Sequence, residues 1–458
     1  MHVIQLVIKE EAIMAMVIKN NKDSLNTVNT LNKNNKAKAK SMEKLSSGMR
    51  INSAADDASG LSISERMRTQ IRSLEQDNAN TQNGNSMMKV AEGAVASTVD
   101  ILKTLKEKLI NAANDTNTDA DRATIQREFD QMVDQIDDNA NVTYNGKVLL
   151  DGSHNSQVIK PGTKTALVNE SFHESTTRRT PLMDLKDHNG VSLGIHDSDY
   201  VTVSYVKQGS THTETFPVSS DDYGALALKD IFGGFGSDFG VGDIELKKGA
   251  VSDYIGTDAN GNAVYTADHR NAIVYEASKP GVEGQISGLT ISITDRYGKI
   301  NKNANAILDN FTEVIRAENP SPDNSIVLQI GTKANQAIKI GLSDMRSTAL
   351  GLTATDGSKL NISTQANANA AINVVETALQ KVLDMQTEIG SVEMRLGFTS
   401  SNIVTSKENT QSSESVIRDT DMAAEMAEYT RNNVLEQASQ SMLAQANQNS
   451  SAVLSLLQ

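Results

Sequence analysis

Cysteine and tryptophan are absent from this 458-residue chain, and only 4% of its residues are aromatic. The lack of cysteine excludes disulfides, thiolate nucleophiles and cysteine-ligated metals. A large enzyme with one compact core usually contains more aromatic residues. The composition therefore favours long, thin elements packed with Ala, Leu, Val, Ile and Met. The net charge of −14 argues against a basic surface that would hold nucleic acid.

Long apolar runs are also lacking, because none reaches the roughly 18 residues that span a bilayer. The apolar stretch at the N-terminus is interrupted by Lys9, Glu10 and Glu11, and no small-residue cleavage site follows it. We therefore expect neither a membrane anchor nor a Sec signal peptide.

Proline is confined to the middle of the chain, where all six prolines lie between Pro161 and Pro322. Proline interrupts helices because it lacks an N–H group and clashes with the preceding turn. Two proline-free arms therefore flank a proline-containing insert. This divides the chain into the zones 14–153, 154–323 and 324–458.

The middle zone is predicted to be rich in β-structure. Residues 200–206 and 289–293 alternate between apolar and polar side chains with the period of two that strands show. The glycine- and asparagine-rich segments 232–242 and 258–262 are predicted to be turns between strands. The zone is therefore expected to form a small β-rich domain inserted between two halves of a helical body.

Apolar residues recur every seven positions in both arms, which is the repeat of helices that pack along one another. The pattern predicts a helix over 61–114, a second around 125–136, and then a hairpin with its turn at Asn145-Gly146. The residues predicted to pair the two arms are Met88, Val95, Leu102, Leu109, Val375, Val382, Ile389 and Leu396. The predicted fold is mainly α, a long antiparallel coiled-coil-like helical bundle built from both chain ends, with an inserted β-rich outer domain.

The two chain ends carry more apolar residues than two helices can cover. These residues are Leu25, Val28, Leu31, Met42, Leu45, Leu435, Met442, Leu443, Val453, Leu454 and Leu457. One interpretation is an ordinary pair of core helices. The other is that these faces are buried only between subunits, so that the terminal segments fold on assembly.

No candidate motif has the spacing that catalysis or metal binding requires. The histidine–glutamate segments 173–174 and 212–214 lack the second histidine that a zinc protease places one helical turn away. The adjacent acids Asp56 and Asp57 are interpreted as solvated surface, because neighbouring residues on a helix do not converge. The sequence thus predicts no enzyme, no cofactor and no metal site.

Several segments resemble bacterial flagellins, and they follow the order of that family. LSSGMRINSAADDASG at 45–60 is similar to the family's N-terminal motif, and VTYNGKVLLDG at 142–152 is similar to the hairpin that closes its N-terminal region. Residues 328–352 resemble the segment that re-enters the helical body. Residues 417–458, with LAQANQ and VLSLL, resemble the C-terminal signature. The insert has no such match, as the family's variable outer domain implies.

The resemblance implies a filament subunit that leaves the cell through the flagellar type III channel, without a cleaved signal, and lies in the extracellular filament. Because Met14 resembles a usual flagellin start, residues 1–13 are interpreted as a misassigned extension. The terminal apolar residues become inner-tube polymerisation residues. The implied divisions are inner-tube segments 14–58 and 415–458, helical outer-tube halves 59–153 (with the hairpin) and 324–414, and a variable surface insert 154–323.

The resemblance also implies partners. They are further copies of the chain, an export chaperone on the C-terminal segment, and filament cap and junction proteins, with neither nucleic acid nor a membrane. A flagellin-sensing Toll-like receptor reads a patch on the long N-terminal helix of the family. The corresponding residues here are Lys103, Thr104, Lys106, Glu107 and Lys108. Glu107 matches the receptor-active pattern and Lys106 keeps its charge. Thr104 replaces an arginine and Lys108 replaces a leucine, so weak recognition is expected.

Two other functions stay open on the sequence alone. A hook–filament junction protein of the same superfamily would share the helical arms. A surface adhesin would bind its ligand through the β-rich insert. Polymerisation of the purified protein into long filaments distinguishes a filament subunit from a junction protein, and a pull-down on host mucins tests the adhesin.

Overall fold

The computed structural model separates into two compact units. The terminal unit comprises Met1–Gln76 and Asn402–Gln458, and the central unit comprises Asp77–Ser401. The residues that the structure describes are 21–177, 179–219, 226–233, 239–248, 253–267 and 271–456.

Long helices form both arms, as the heptad repeats predict. The helices are α1 (Lys22–Ser47), α2 (Ala58–Ala112), α3 (Asp119–Ala140), α4 (Leu228–Gly233), α5 (Lys302–Leu308), α6 (Gln365–Arg418) and α7 (Met422–Leu456). With 55 residues, α2 is about 80 Å long at the usual helical rise. The prediction of a mainly α fold with a β-rich middle region is confirmed.

Capping side chains explain where α1 and α3 begin and where α1 ends. Asn21 accepts the backbone N–H of Ser24 at 3.0 Å, which satisfies a donor that the first turn leaves free. Gly48 ends α1 in the left-handed conformation with φ of 69°, which glycine adopts without steric strain. Thr118 and Asp121 form a reciprocal capping box at the start of α3.

The predicted hairpin is confirmed. Its strands are β1 (Thr143–Tyr144) and β2 (Lys147–Val148), which pair antiparallel. Asn145 and Gly146 between them have φ of 50° and 78°. Positive φ at both central residues matches the two-residue turn whose twist fits a hairpin, and Asn-Gly is the dipeptide that tolerates it best.

The largest hydrophobic core of the central unit is built from α2, α3, α6 and neighbouring loops. All eight residues predicted to pair the arms lie in this core, and none of them is more than 1% exposed. Phe129 and Ile136 of α3 fill the same core and are fully buried. The heptad positions of the central unit therefore face inward, and burial of this seam is the main source of its stability.

The middle region holds two larger antiparallel sheets in its described part, with strand orders β10-β4-β5 and β11-β3-β9-β6. The strands are β3 (Ala166–Phe172), β4 (Tyr200–Lys207), β5 (Ser210–Pro217), β6 (Phe239–Lys248), β7 (Tyr254–Thr257), β8 (Ala263–Tyr265), β9 (Asn271–Ala277), β10 (Ile286–Thr294), β11 (Thr312–Ile315), β12 (Ile326–Gln329) and β13 (Ala337–Ile340). The predicted strands 200–206 and 289–293 lie within β4 and β10, so both predictions are confirmed.

One of the two predicted turns is wrong in part. Segment 258–262 is a turn between β7 and β8, with the Gly261 N–H bound to the carbonyl of Asp258 at 3.0 Å. In 232–242, however, Gly233 ends α4 and β6 begins at Phe239, while 234–238 lie outside the described residues. The start of β6 is glycine-rich, so it lacks the alternating side chains that would reveal a strand. It pairs with β9 through its backbone.

Helix α5 covers the outer edge of β10. The side-chain oxygen of Asn305 accepts the backbone N–H of Ile293 at 2.7 Å, and Asp309 accepts the N–H of Ile291 at 3.3 Å. These backbone donors point away from β4, so α5 satisfies groups that would otherwise be left unpaired at a sheet edge.

Buried charges lie where β11 approaches α6. Oε1 of Glu313 is buried and has no hydrogen-bond partner. Burial raises the pKa of Glu313 from 4.5 to about 7, although the nearby Lys381 and Arg316 oppose that rise. Lys381 is itself 7% exposed and donates to the carbonyl of Ala349 at 3.0 Å. The carboxylate of Glu313 is therefore a destabilising charge at neutral pH.

We predict that Glu313→Gln reduces the pH dependence of stability. The folded pKa of about 7 exceeds the unfolded value, so the folded state binds the extra proton. Stability should therefore fall as pH rises from about 4.5 to 7, by roughly 2–3 kcal/mol from this group alone. Denaturant unfolding at pH 4.5 and pH 8 measures it, with the exposed Glu283→Gln as the control. Equal pH dependence in wild type and E313Q would contradict the prediction.

Candidate assembly site of the terminal unit

Polar contacts join α1 and α7 into an antiparallel pair. The side-chain amide of Asn34 donates to the hydroxyl of Ser439 at 2.8 Å and to the carbonyl of Leu435 at 3.2 Å. Lys38 forms an ion pair with Glu436 at 2.8 Å. Further ion pairs and amide contacts extend this pattern along both helices, and the joining surface of the pair is therefore mostly hydrophilic.

The burial pattern of the terminal unit is inverted relative to that of a globular core. Ser41, Asn432 and Ser439 are buried, at 4%, 6% and 8% exposure. Leu25 and Met442 are 59% and 62% exposed on the same two helices. Among the described residues, every member of the three hydrophobic core clusters belongs to the central unit. The terminal helices thus turn apolar side chains outward and leave them uncovered within one chain.

The predicted polymerisation residues lie in three groups. Leu25, Met42, Leu435 and Met442 are exposed, whereas Val28, Leu31, Leu45 and Leu443 are partly buried. Val453 and Leu454 belong to the last turns of α7, and Leu457 lies outside the described residues.

Three further exposed apolar residues on α7 were missed by the sequence analysis. Met422, Met426 and Val434 are 48%, 51% and 59% exposed. The spacing of Met422 and Met426, one helical turn apart, is the signal that would have found them, since such residues share a helix face.

Charge is distributed unequally between the two units. The terminal unit contains 15 lysines and arginines and 15 aspartates and glutamates. The whole net charge of −14 therefore belongs to the central unit. Copies of a neutral segment can approach one another without the mutual repulsion that a uniformly acidic chain would suffer.

A short backbone bridge joins the α1–α2 connection to the α6–α7 connection. Met49 and Asp419 face each other as an isolated antiparallel bridge. The N–H of Arg50 donates to the carbonyl of Arg418 at 2.7 Å, and the N–H of Thr420 donates to the carbonyl of Gly48 at 3.0 Å. This bridge sits inside the segment 45–60 that carries the family resemblance.

Two arginines cross the bridge in opposite directions. Nη2 of Arg50 donates to the carbonyls of Val416 and Ile417, at 3.2 and 2.6 Å, in the last turn of α6. These carbonyls lack helical partners, and a positive charge also favours the negative end of the helix dipole. In return, Arg418 forms an ion pair with Glu65 on α2. We call the bridge and these two arginines the clasp.

The clasp is largely withdrawn from solvent on one side. The side chain of Arg418 is only 8% exposed, and its Nε lies 3.2 Å from Sδ of Met49. The hydrogen bond from Arg418 lowers the pKa of Glu65, so the carboxylate stays ionised at neutral pH.

The acids Asp56 and Asp57 are structural, so their interpretation as solvated surface is wrong. Asp56 accepts the N–H groups of Asn52 and Ser53 and pairs with Lys40 at 2.8 Å. The hydrogen bond from Lys40 is the main cause of a strongly lowered pKa at Asp56. Asp57 caps the first turn of α2. The error arose because these two acids do not share a helix face but fold the loop before the helix.

Gly60 shows how closely this loop packs on α2. A Cβ atom there would lie 2.5 Å from Oδ2 of Asp57 and 2.8 Å from Cδ1 of Ile51. Ile51 is 3% exposed, so the space cannot be opened by moving an exposed side chain. Any larger residue would push the cap and the buried isoleucine apart.

The predicted receptor patch lies on α2 in the central unit, and most of its charges have partners on the same chain. Lys106 pairs with Glu376 at 2.7 Å, and Lys108 pairs with Glu128 at 2.8 Å. The hydroxyl of Thr104 donates to a backbone carbonyl at 2.9 Å. The remaining members, Lys103 and Glu107, are exposed, and Lys103 lies 3.2 Å from a carboxylate on its own helix.

Neither metal ligation nor membrane insertion is indicated by the described part of the chain. No three histidine, aspartate or glutamate side chains converge there in a way that could hold a metal ion. Its helices also lack the combination of length and apolarity that crossing a bilayer requires.

Comparison with known proteins identifies relatives of both arms and of the whole chain. Residues 18–155 match the bacterial flagellin N-terminal helical region, and residues 372–457 match the bacterial flagellin C-terminal helical region. Among solved structures, flagellar hook associated protein-3 of Legionella pneumophila aligns with 76% of this chain and 97% of its own, at 14% identity and a TM-score of 0.32.

Full-length relatives carry the assignment. The chain is 34% identical to a flagellin of Clostridium tyrobutyricum, over 94% of this chain and 99% of that protein. It is 30% identical to a flagellin of Bacillus subtilis, over 96% of this chain and all of that protein. Matches of this length, with the flagellin N- and C-terminal regions in their places, mean that the chain belongs to the bacterial flagellin family.

Proposed function

We propose that this chain is a secreted structural subunit that polymerises into the bacterial flagellar filament and so serves swimming motility. The observation that carries the proposal is the inverted terminal unit, whose helices bury serines and asparagines and expose leucines and methionines. A surface of that kind is stable only when other molecules cover it. The family membership supports the same function, since flagellins are structural proteins and not enzymes.

Open helical assembly follows from such a surface. Each subunit must offer apolar residues that find partners on its neighbours, at a rotation that does not close into a ring. The neutral charge of the terminal unit favours close packing there, and the negative central unit keeps the free chain soluble. A junction protein would share these helices but would not extend into long filaments. Polymerisation of the purified chain, seen by electron microscopy, therefore tests the proposal.

We predict that removal of 435–458 leaves a soluble monomer that cannot polymerise. The central unit keeps its hydrophobic core, so its cooperative unfolding should be unchanged, while α7 loses most of its contacts with α1. Filaments by electron microscopy and unfolding by circular dichroism are the measurements. Binding of the flagellar export chaperone should also be lost, because the segment resembles the one that this chaperone binds.

A finer variant separates the surface from the helix itself. Leu435→Ser with Met442→Ser removes two exposed apolar side chains and should raise the concentration needed for assembly. Gln437→Ser with Gln440→Ser changes neighbouring exposed positions of α7 and should not. Normal filaments from the truncated chain would refute the assignment of inner-tube contacts.

We further predict that the insert is dispensable for polymerisation. The chain enters and leaves the insert across an antiparallel pair, with Val158 bridged to Ser321 and Thr163 bridged to Glu318. A short Gly/Ser linker in place of 160–318 can therefore join the two ends, and the heptad residues lie outside the deleted part. Failure of the shortened, folded chain to form filaments at any concentration would mean that the insert supplies tube contacts.

Weak activation of the flagellin-sensing Toll-like receptor is the third expectation. Thr104 offers no planar fork of donors where receptor-active members have arginine, and Lys108 is held by Glu128. Loss of a buried anchor of that kind typically costs about 2 kcal/mol, or roughly thirtyfold in affinity. Thr104→Arg with Lys108→Leu should therefore raise activation by monomeric protein in a cell reporter assay.

The exposed loop substitution Thr116→Arg serves as the matched control for the added charge. It should leave receptor activation unchanged, and both variants should still polymerise. Full potency of the unsubstituted chain would show that Thr104 and Lys108 do not limit recognition.

A further inference from the structure

The α1–α7 pair keeps one register along its whole described length. Counted from the bridge, Lys44 lies five residues back on the N-terminal side and its partner Glu425 lies six residues forward on the C-terminal side. At the far end, Asn21 lies 28 residues back and its partner Ala446 lies 27 residues forward. The pairing set at the bridge is therefore maintained to within one residue across seven helical turns.

The contacts between these helices do not themselves select that register. The joining surface buries small or polar residues such as Ser41 and Ser439 in place of interlocking apolar side chains. Exposed ion pairs such as the one between Lys38 and Glu436 contribute little stability individually, and lysines can reach alternative carboxylates. A helix pair held mainly in this way can shift by a turn at small cost, because no apolar side chain leaves a pocket when it does.

The clasp, in contrast, tolerates no shift. Arg50 donates to two neighbouring carbonyls at the end of α6, and Arg418 reaches back to Glu65 and Met49. A displacement of either connection would break the bridge and remove both arginines from their partners together. For Arg418, at 8% exposure, that would leave a buried charge uncompensated.

We propose that Arg50 and Arg418 are positioning residues for assembly, because their reciprocal contacts fix the register of α1 against α7. The inference rests on the proposed function. The outward apolar residues of the two helices form one continuous surface for neighbouring copies only when the helices are aligned. A shifted pair would present the same residues in a pattern that does not match the next subunit.

Two variants test this proposal in the full chain. Arg50→Ala with Arg418→Ala should raise the protein concentration needed for filaments by about tenfold or more, because charge-assisted hydrogen bonds are lost. Arg50→Lys should restore part of the effect, since lysine can reach one carbonyl but has no fork. The control is Arg72→Ala, an exposed arginine of the same unit. Cooperative unfolding of the central unit should be the same in all of them.

Designed cysteines report the register directly, because the chain has none of its own. Asn34→Cys with Ser439→Cys joins positions whose side chains lie 2.8 Å apart, while Asn34→Cys with Asn432→Cys reports a shift of two turns. With the clasp intact, the first pair should cross-link in clear preference to the second. In the background of Arg50→Ala and Arg418→Ala, that preference should be lost.

Rescue distinguishes positioning from a direct contact between subunits. Oxidation of the aligned cysteine pair should restore polymerisation to the clasp variant, and reduction should abolish it again. Normal assembly of the clasp variant, unchanged cross-linking preference, or failure of the locked variant to assemble would each overturn the proposal. If wild type itself forms no filaments, the proposed function fails, but the cross-linking ratio still decides whether the clasp sets the register.

Discussion

The apolar seam between α2, α3 and α6 is the constraint on which the rest of the structure depends. It buries residues such as Leu102 and Val382 completely and gives the central unit a core that is sufficient without help from other molecules. Because stability is concentrated there, the terminal unit can do without a core of its own. Its helices are then free to expose leucine and methionine, which a self-contained domain would have to bury. The two units thus divide folding and association between them.

Periodic features of the molecule could be predicted from the sequence, and non-periodic ones could not. The heptads that include Met88 and Val375 led to the buried seam because helix packing repeats along the chain. Asn145-Gly146 led to the hairpin because few dipeptides tolerate positive φ twice. The clasp had no such signal, since Arg50 and the carbonyl of Ile417 are 367 residues apart and their contact is polar.

Charge adds a second division between the units, which composition alone conceals. A total of −14 suggests an acidic chain throughout, yet the terminal unit is neutral. Repulsion between copies would grow with the number assembled, so a neutral segment is best placed where copies are closest. The paired acids of the terminal unit, such as Glu65 with Arg418, keep their charges matched within one chain. Acids buried without such a partner, such as Glu313, belong to the central unit.

The cover that α5 places on β10 has a consequence for a molecule present in thousands of adjacent copies. Crowded identical sheets are at risk of joining edge to edge into amyloid-like ribbons, because an open strand is a template for its own sequence. Asn305 and Asp309 occupy the donors of β10 that such a ribbon would need. The opposite edge, β5, ends at Pro217 and exposes Glu214, two features that discourage strand addition. The insert can therefore be displayed at high local density and remain a set of separate domains.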